Sequence, residues 1–300
     1  MTLPKRLLPA TITALCLLFA AACTPTDAAQ KPLVSATPSP KPTPTKPSVT
    51  PRTPPAKPMP VIDPVDESTK GNKLYAAGKV ALVPCTLPTV VLRSDSEMLK
   101  YARAMVACMQ KAWTPLILKS DAYYGGAKVA AYSLGKGPDS PLCDDPPNDS
   151  GAFYQPQGSV ICLDRKSLGT DPEFALIDLQ ETVAHEFGHH VQMSVGILTS
   201  YDMRDYAGST ERLEDERRFE LQASCLGAAF LGANRRTFGL TGRRLEIWRY
   251  LVRHLGDEYN PKHIRDHGSR TSHGYWSLRA FDAGNPSACN TFTAPAKRVS

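Results

Sequence analysis

The sequence predicts a mostly helical α+β fold, carried by one domain behind an exported leader. Three observations carry that expectation. Apolar residues recur at helical spacing in several long stretches. A single pair of short β-branched and aromatic runs is separated by Pro156-Gln157-Gly158. The first 66 residues hold more than half of the chain's 27 prolines and almost no aromatic residue. That leaves roughly 230 residues, enough for one well-buried core.

The net charge of +6 does not describe this domain. Residues 1–66 carry seven Lys/Arg against three Asp, so +4 of the +6 belongs to the N-terminal segment. A basic domain gripping nucleic acid is therefore not supported. After the leader no stretch approaches the ~20 apolar residues that a spanning helix needs.

Lys5-Arg6, the apolar run Leu7–Ala22 and Cys23 make a secretory signal over residues 1–22. Its 16-residue apolar length and Pro9 weigh against a transmembrane anchor. The ending Ala20-Ala21-Ala22-Cys23 resembles a bacterial lipobox, which implies a lipidated Cys23 and a membrane anchor on the extracytoplasmic side. Ala20 stands where that motif usually has Leu, and the alternative is a plainly secreted protein. Residues 23–66 are Pro/Thr/Lys-rich and bury too little to order themselves. At ~3.1 Å per residue they could hold the domain, residues 67–300, up to roughly 130 Å from its anchor.

The cysteines agree with export. Beyond Cys16 and Cys23 there are six, none in a CxxC pair, which suggests three disulfides rather than a metal cluster. The pairing expected is Cys85–Cys108, Cys143–Cys162 and Cys225–Cys289, one of 15 possible connectivities.

Within the domain, residues 95–113 read as a helix capped by Ser94 or Asp95, with Leu99, Ala102, Met105, Val106 and Met109 on one side. The Pro/Asp/Ser content of 138–150 marks a loop. Residues 152–155 and 159–163 make a hairpin. Asp171-Pro172-Glu173 opens a long helix to about Gln192, and another runs from about Leu213 to Leu231, ending at Gly232. Arg244–Leu255 is amphipathic, and a last helix near Gly274–Asp282 carries Trp276 and Phe281.

The chemistry is concentrated in His185-Glu186-Phe187-Gly188-His189, an HExxH motif inside a stretch already read as helix. Imidazoles at i and i+4 leave one helix face and can share a tetrahedral Zn²⁺. Glu186, beside the first of them, can take a proton from a water on that metal and pass it to a leaving amine. A catalytic zinc needs a third protein ligand and an open position. The extended pattern HExxHxxGxxH fails, because Gln192 replaces its Gly and Val195 its last His. The third ligand must come from elsewhere, most naturally a carboxylate on the next helix. Glu211, Glu214 and Glu216 lie in ERLEDERR, a mixed-sign run that reads as a solvated face. Glu220 instead sits at the entry to the apolar ASCLGAAFL, where a carboxylate is costly to bury without a cation. Glu220 is the expected third ligand.

HEFGHHVQ, FELQASC and DHGSRTSHGYWSLRAFDAGNPSACNTF together resemble the bacterial putative neutral zinc metallopeptidase family, whose patterns include HEFGHHVQ, ELQADC and a terminal HG…W…G…CdTF. Asn72-Lys73-Leu74-Tyr75 and the hairpin fit its earlier blocks, so the resemblance covers about residues 72–293. It implies a zincin core of the gluzincin-like type, with an active-site helix, a glutamate-bearing helix and a small β-sheet. It also implies His185, His189 and Glu220 on Zn²⁺, Glu186 as base, and peptide or protein substrates. At a family-matching position, His267 is a candidate for binding the developing oxyanion. In gluzincin-like enzymes an edge strand pairs with the peptide backbone, a role expected here of residues 159–163.

Two departures matter. Gln155 stands where the family often has Cys. Ser224 stands where ELQADC has Asp, one turn after Glu220, a place suited to orienting a ligand histidine. A Ser hydroxyl can accept that hydrogen bond but brings no charge, which predicts weaker activity. Of the other histidines, His190 points about 100° away from His189 and is expected to pack. His254 favours a helix C-terminus, and His263 and His273 receive no role. The function expected is zinc-dependent, endopeptidase-type hydrolysis of peptide bonds. Behind it stand a non-catalytic envelope lipoprotein that uses the fold as a binding or scaffolding module, and a zinc hydrolase acting on a non-peptide amide such as a wall crosslink.

Overall fold

The structure is a computed structural model that describes residues 63–134, 140–144, 150–259 and 264–300. The leader, Cys23 and the linker up to residue 62 lie outside the described residues. So do much of the expected 138–150 loop and His263. The described residues fall in a unit running from Met59 to Ser300. The boundary expected at residue 67 falls inside its first helix, α1 (Pro64–Lys70), which Asp63 caps by accepting from Val65 N. No helix among the described residues is long and apolar enough to cross a membrane.

Helix α2 (Asp95–Lys119) starts where the sequence places it. Ser94 Oγ accepts from Glu97 N, while the Glu97 carboxylate accepts from Arg93 N, two donors that the helix itself cannot satisfy. It then runs six residues past the expected end, through Pro115. Proline costs the helix one hydrogen bond, but Leu116 and Ile117 beyond it are buried, and that packing outweighs the break. Strand β1 (Lys128–Ala131), which the periodicity does not reveal, pairs in parallel with β3 (Val160–Leu163). Strand β2 (Ala152–Gln155) pairs with β3 in antiparallel fashion across the 3-10 turn Pro156–Gly158, as the hairpin signal predicts.

The sheet order is β1-β3-β2, so the strand at 160–163 is central and fully buried. This corrects the expectation that 159–163 supplies an edge to a substrate. An uninterrupted apolar run such as Val-Ile-Cys-Leu suits a strand covered on both faces and paired on both sides. Among the described residues, the sheet edge nearest the helix that carries the HExxH motif is β2. Asp164 N donates to Gly151 O, which makes that a hydrogen-bonded pair. Alternation then turns the backbone groups of Ala152 and Tyr154 outward.

Helix α3 (Pro172–Ser194) is capped by Asp171, has Pro172 at its first position, and is the centre of the fold. It packs against α2 and β2 and against two helices later in the chain. After the short α4 (Ile197–Asp202), α5 (Ser209–Ala233) covers α3 on one side and the last helix, Arg270–Ala283, on the other. Every residue from Leu221 to Leu231 is buried. Helix α6 (Gly242–Val252) ends before His254, whose Nδ1 lies 2.7 Å from the Tyr250 carbonyl near the helix C-terminus. Helix α7 (Arg270–Ala283) begins four residues earlier than predicted, capped by Ser269.

Glycines decide how α3, α5 and α7 approach. A Cβ on Gly188 would lie 2.3 Å from Ala223 O, and one on Gly227 would lie 2.5 Å from Ala184 O. Gly232, expected to stop α5, lies inside it, where a Cβ would be 1.9 Å from Phe281 O of α7. The three disulfides are those expected: Cys85–Cys108, Cys143–Cys162 and Cys225–Cys289. The last ties α5 to the C-terminal segment.

Candidate metal centre

Because α3 and α5 meet backbone to backbone at Gly188 and Gly227, side chains one turn away face each other at short range. His185 Nε2 and His189 Nε2 are 3.1 Å apart, and Glu220 Oε2 lies 3.2 and 3.3 Å from them. Ligands on a tetrahedral zinc at ~2.0–2.1 Å lie ~3.3 Å from one another, so the spacing matches.

The hydrogen bonds on the far side of each ring make the argument chemical. Gln192 Nε2 donates to Phe219 O and to Gln222 Oε1, which leaves Gln192 Oε1 as the acceptor 2.9 Å from His189 Nδ1. His189 therefore carries its proton on Nδ1, and its Nε2 is a bare lone pair. His185 Nδ1 lies 2.8 Å from Ser224 Oγ, which suits the same tautomer. Two imidazole lone pairs and a carboxylate oxygen converge on one point, an arrangement that calls for a cation. The residues fit zinc.

Electrostatics agree. Burial opposes ionisation of Glu220, but His189, His267 and His185 around it hold its carboxyl well below the usual range. Burial also works against the charge on His189, yet Glu220 raises its pKa. Glu186, on the same helix, is 5 % exposed, and its Oε2 has no hydrogen-bond partner. Burial pushes its pKa up, while His185 and His189 pull it down.

His267 reaches the same point from the loop before α7. Asp257 accepts from His267 N and Gly268 N, and Gly268 adopts φ +86° to close the turn. That turn sets His267 Nε2 at 3.6 Å from Glu220 Oε2, with Nδ1 at 2.7 Å from Asp266 Oδ1. Burial opposes its charge, but Glu220 and Asp266 raise its pKa to about 10. It does not join the converging set of His185, His189 and Glu220.

His190 faces away, as its helical angle requires. Its Nδ1 lies 2.9 Å from Tyr154 OH, and burial pushes its pKa down to about 4. His273, given no role from the sequence, is 3 % exposed with neither ring nitrogen bonded, and burial pushes its pKa down to about 3. Three residues at the site went unread. Gln192 fixes the His189 tautomer from the i+3 position, a spacing that could have revealed it. Asp266 precedes His267 directly. Glu181 lies one turn before His185 and accepts from Trp248 Nε1 at 2.6 Å. A cavity of about 630 Å³ opens on His185 and Glu186, bounded by residues 150–152 at the start of β2 and by the His267 loop.

A family model described as "Putative neutral zinc metallopeptidase" matches residues 84–246. The match contains His185, Glu186, His189, Glu220 and Ser224 and stops before His267. Among curated proteins, "Uncharacterized protein YpfJ" of Escherichia coli strain K12 is 26% identical over 217 residues, which is 66% of this chain and 73% of that protein. The protein of the same name from Escherichia coli O6:H1 gives the same figures. No solved structure matches.

Proposed function

The chain belongs to the "Putative neutral zinc metallopeptidase" family, and from that premise we propose that it is a zinc-dependent endopeptidase-type hydrolase. One observation carries the reading. His185 Nε2, His189 Nε2 and Glu220 Oε2 converge beside a buried Glu186 oxygen that no described residue engages, at the mouth of a cavity. Zinc held there would polarise the scissile carbonyl and acidify the attacking water. Glu186 takes the proton of that water and delivers it to the leaving amine. His267, fixed by Asp266, donates from Nε2 toward the negative charge that develops on the carbonyl oxygen. The outward backbone groups of Ala152 and Tyr154 on β2 offer an extended peptide its hydrogen bonds. Ser150 Oγ now donates to Ala152 O, and a substrate strand would displace that contact.

Export is part of the proposal. Three disulfides suit an oxidising compartment, and the leader with Cys23 supplies a lipid anchor at the outer side of the membrane. Ser224 favours a second reading, a non-catalytic envelope lipoprotein that keeps the fold and metal as a binding module. It leaves His185 with a neutral partner where a carboxylate would strengthen the site.

The test is zinc content per mole together with hydrolysis of a mixed peptide library, using Glu186→Gln as control. About one zinc, with cleavage lost in the control while zinc remains, supports the peptidase. One zinc without cleavage supports the binding module. Absence of zinc sinks both.

A further inference from the structure

The cavity that opens on His185 and Glu186 continues along α3 toward its N-terminus, past Glu181 and Asp178. At 1.5 Å per residue these stand about 6 and 10 Å along the helix from His185. Most carboxylates around the cavity are committed. Asp257 accepts from two backbone N–H groups, Asp266 from His267, and Asp178 from Gly169 N at 3.2 Å. Glu181 is different. It is 3 % exposed, and only its Oε2 is held, by the Trp248 indole. Among the described residues no cation stands within ion-pair distance of it, and no Lys or Arg lines the cavity.

A carboxylate so far removed from water is costly to ionise without a cation beside it. Burial accordingly pushes its pKa up to about 7. An ammonium or guanidinium group entering the cavity would restore the ionised form. His273, on the same cavity, has no hydrogen-bond partner at either ring nitrogen among the described residues, so a second buried polar group faces this space. Leu168 and Leu255 stand alongside. That combination suits a side chain with an apolar stem and a charged head.

We infer that this end of the cavity is a subsite for a cationic side chain, so that the preferred substrates carry lysine or arginine beside the bond that is cut. The inference rests on the peptidase reading and names its substrate class. Glu181, one helical turn from a metal ligand, is close enough to meet the head of a residue adjoining the scissile bond. Its oxygen bonded to Trp248 fixes the carboxylate, and the other oxygen receives the cation.

The experiment uses the zinc-loaded full chain and matched peptide sets that differ at one position, with lysine or arginine against the neutral norleucine or glutamine. We expect kcat/KM for the cationic peptides to exceed that for the neutral ones by at least about 10-fold. In Glu181→Gln, which keeps an acceptor for Trp248, the ratio should fall to within about 2-fold. Asp178→Asn provides a second variant with a smaller fall. Cleavage without such a preference, or a preference that survives Glu181→Gln, overturns the subsite and leaves the peptidase standing. If no peptide is cut, calorimetric binding of the same peptides decides. Tighter binding of the cationic set that depends on Glu181 upholds the subsite while the peptidase falls. Equal binding overturns the subsite.

Discussion

His185 Nδ1 and Ser224 Oγ lie 2.8 Å apart, a hydrogen bond that crosses from α3 to α5 beside the point where His185, His189 and Glu220 converge. Ser224 is 1 % exposed, so no water competes strongly for the contact. The hydroxyl can accept from His185 Nδ1, which would leave its Nε2 bare, but it adds no charge. Loss of such an orienting partner typically lowers metal affinity about 10–100-fold. Ser224→Ala is expected to weaken zinc binding by about 10-fold, measured by competition with a chromophoric chelator. Ser224→Asp is expected to tighten it. Unchanged affinity in Ser224→Ala would mean that the hydroxyl does not orient the ring.

The buried Glu181 makes a specific pH prediction. Its carboxyl holds a proton up to about 7 in the folded chain but only to about 4.5 when exposed. Between those values the folded state binds more protons than the unfolded state, so this group's contribution falls as pH rises. It is fully present below 4.5 and lost once the pH has passed about 7. At ~1.4 kcal/mol per unit the change is about 3 kcal/mol. Denaturant unfolding at pH 4.5, 6 and 8 should show the parent losing roughly that much relative to Glu181→Gln. Parallel pH profiles would refute the assignment.

Gly188 and Gly227 set the helix crossing on which the site depends. The atoms that a new Cβ would strike are backbone, at 2.3 and 2.5 Å, so neither helix can yield by turning a side chain. Gly188→Ala is expected to cost at least the ~1–3 kcal/mol of an overpacked core and to separate Glu220 from the histidines. Thermal unfolding and zinc content should fall together. Gly125→Ala, whose Cβ would meet nothing closer than 4.0 Å, is the control expected to keep both.

The residues of the candidate metal site were legible because helical spacing is a local property. His185 and His189 one turn apart identify their shared face without reference to any other element. Glu220 was legible for a different reason, as a charge at the threshold of an apolar run. The hairpin at 152–163 was equally plain, but its place in the sheet was not. Only the arrival of β1 from residues 128–131 makes β3 central and leaves β2 as the edge. The end of α2 was not legible either, since the cost of Pro115 is local while the burial of Leu116 and Ile117 that offsets it is not.

By itself the sequence determined the long helices, the hairpin and the residue types able to hold a metal, because each follows from local periodicity or from chemistry carried by few residues; the cysteine pairing, one of 15, it could only suggest. The tertiary structure alone decided which backbone edge faces the cavity. It also decided how Gln192 fixes the His189 tautomer while Ser224 meets His185, and that Glu181 stands buried with no cation beside it among the described residues. Those are relations between surfaces brought together from distant positions, and their energies depend on distance and exclusion of water rather than on spacing along the chain.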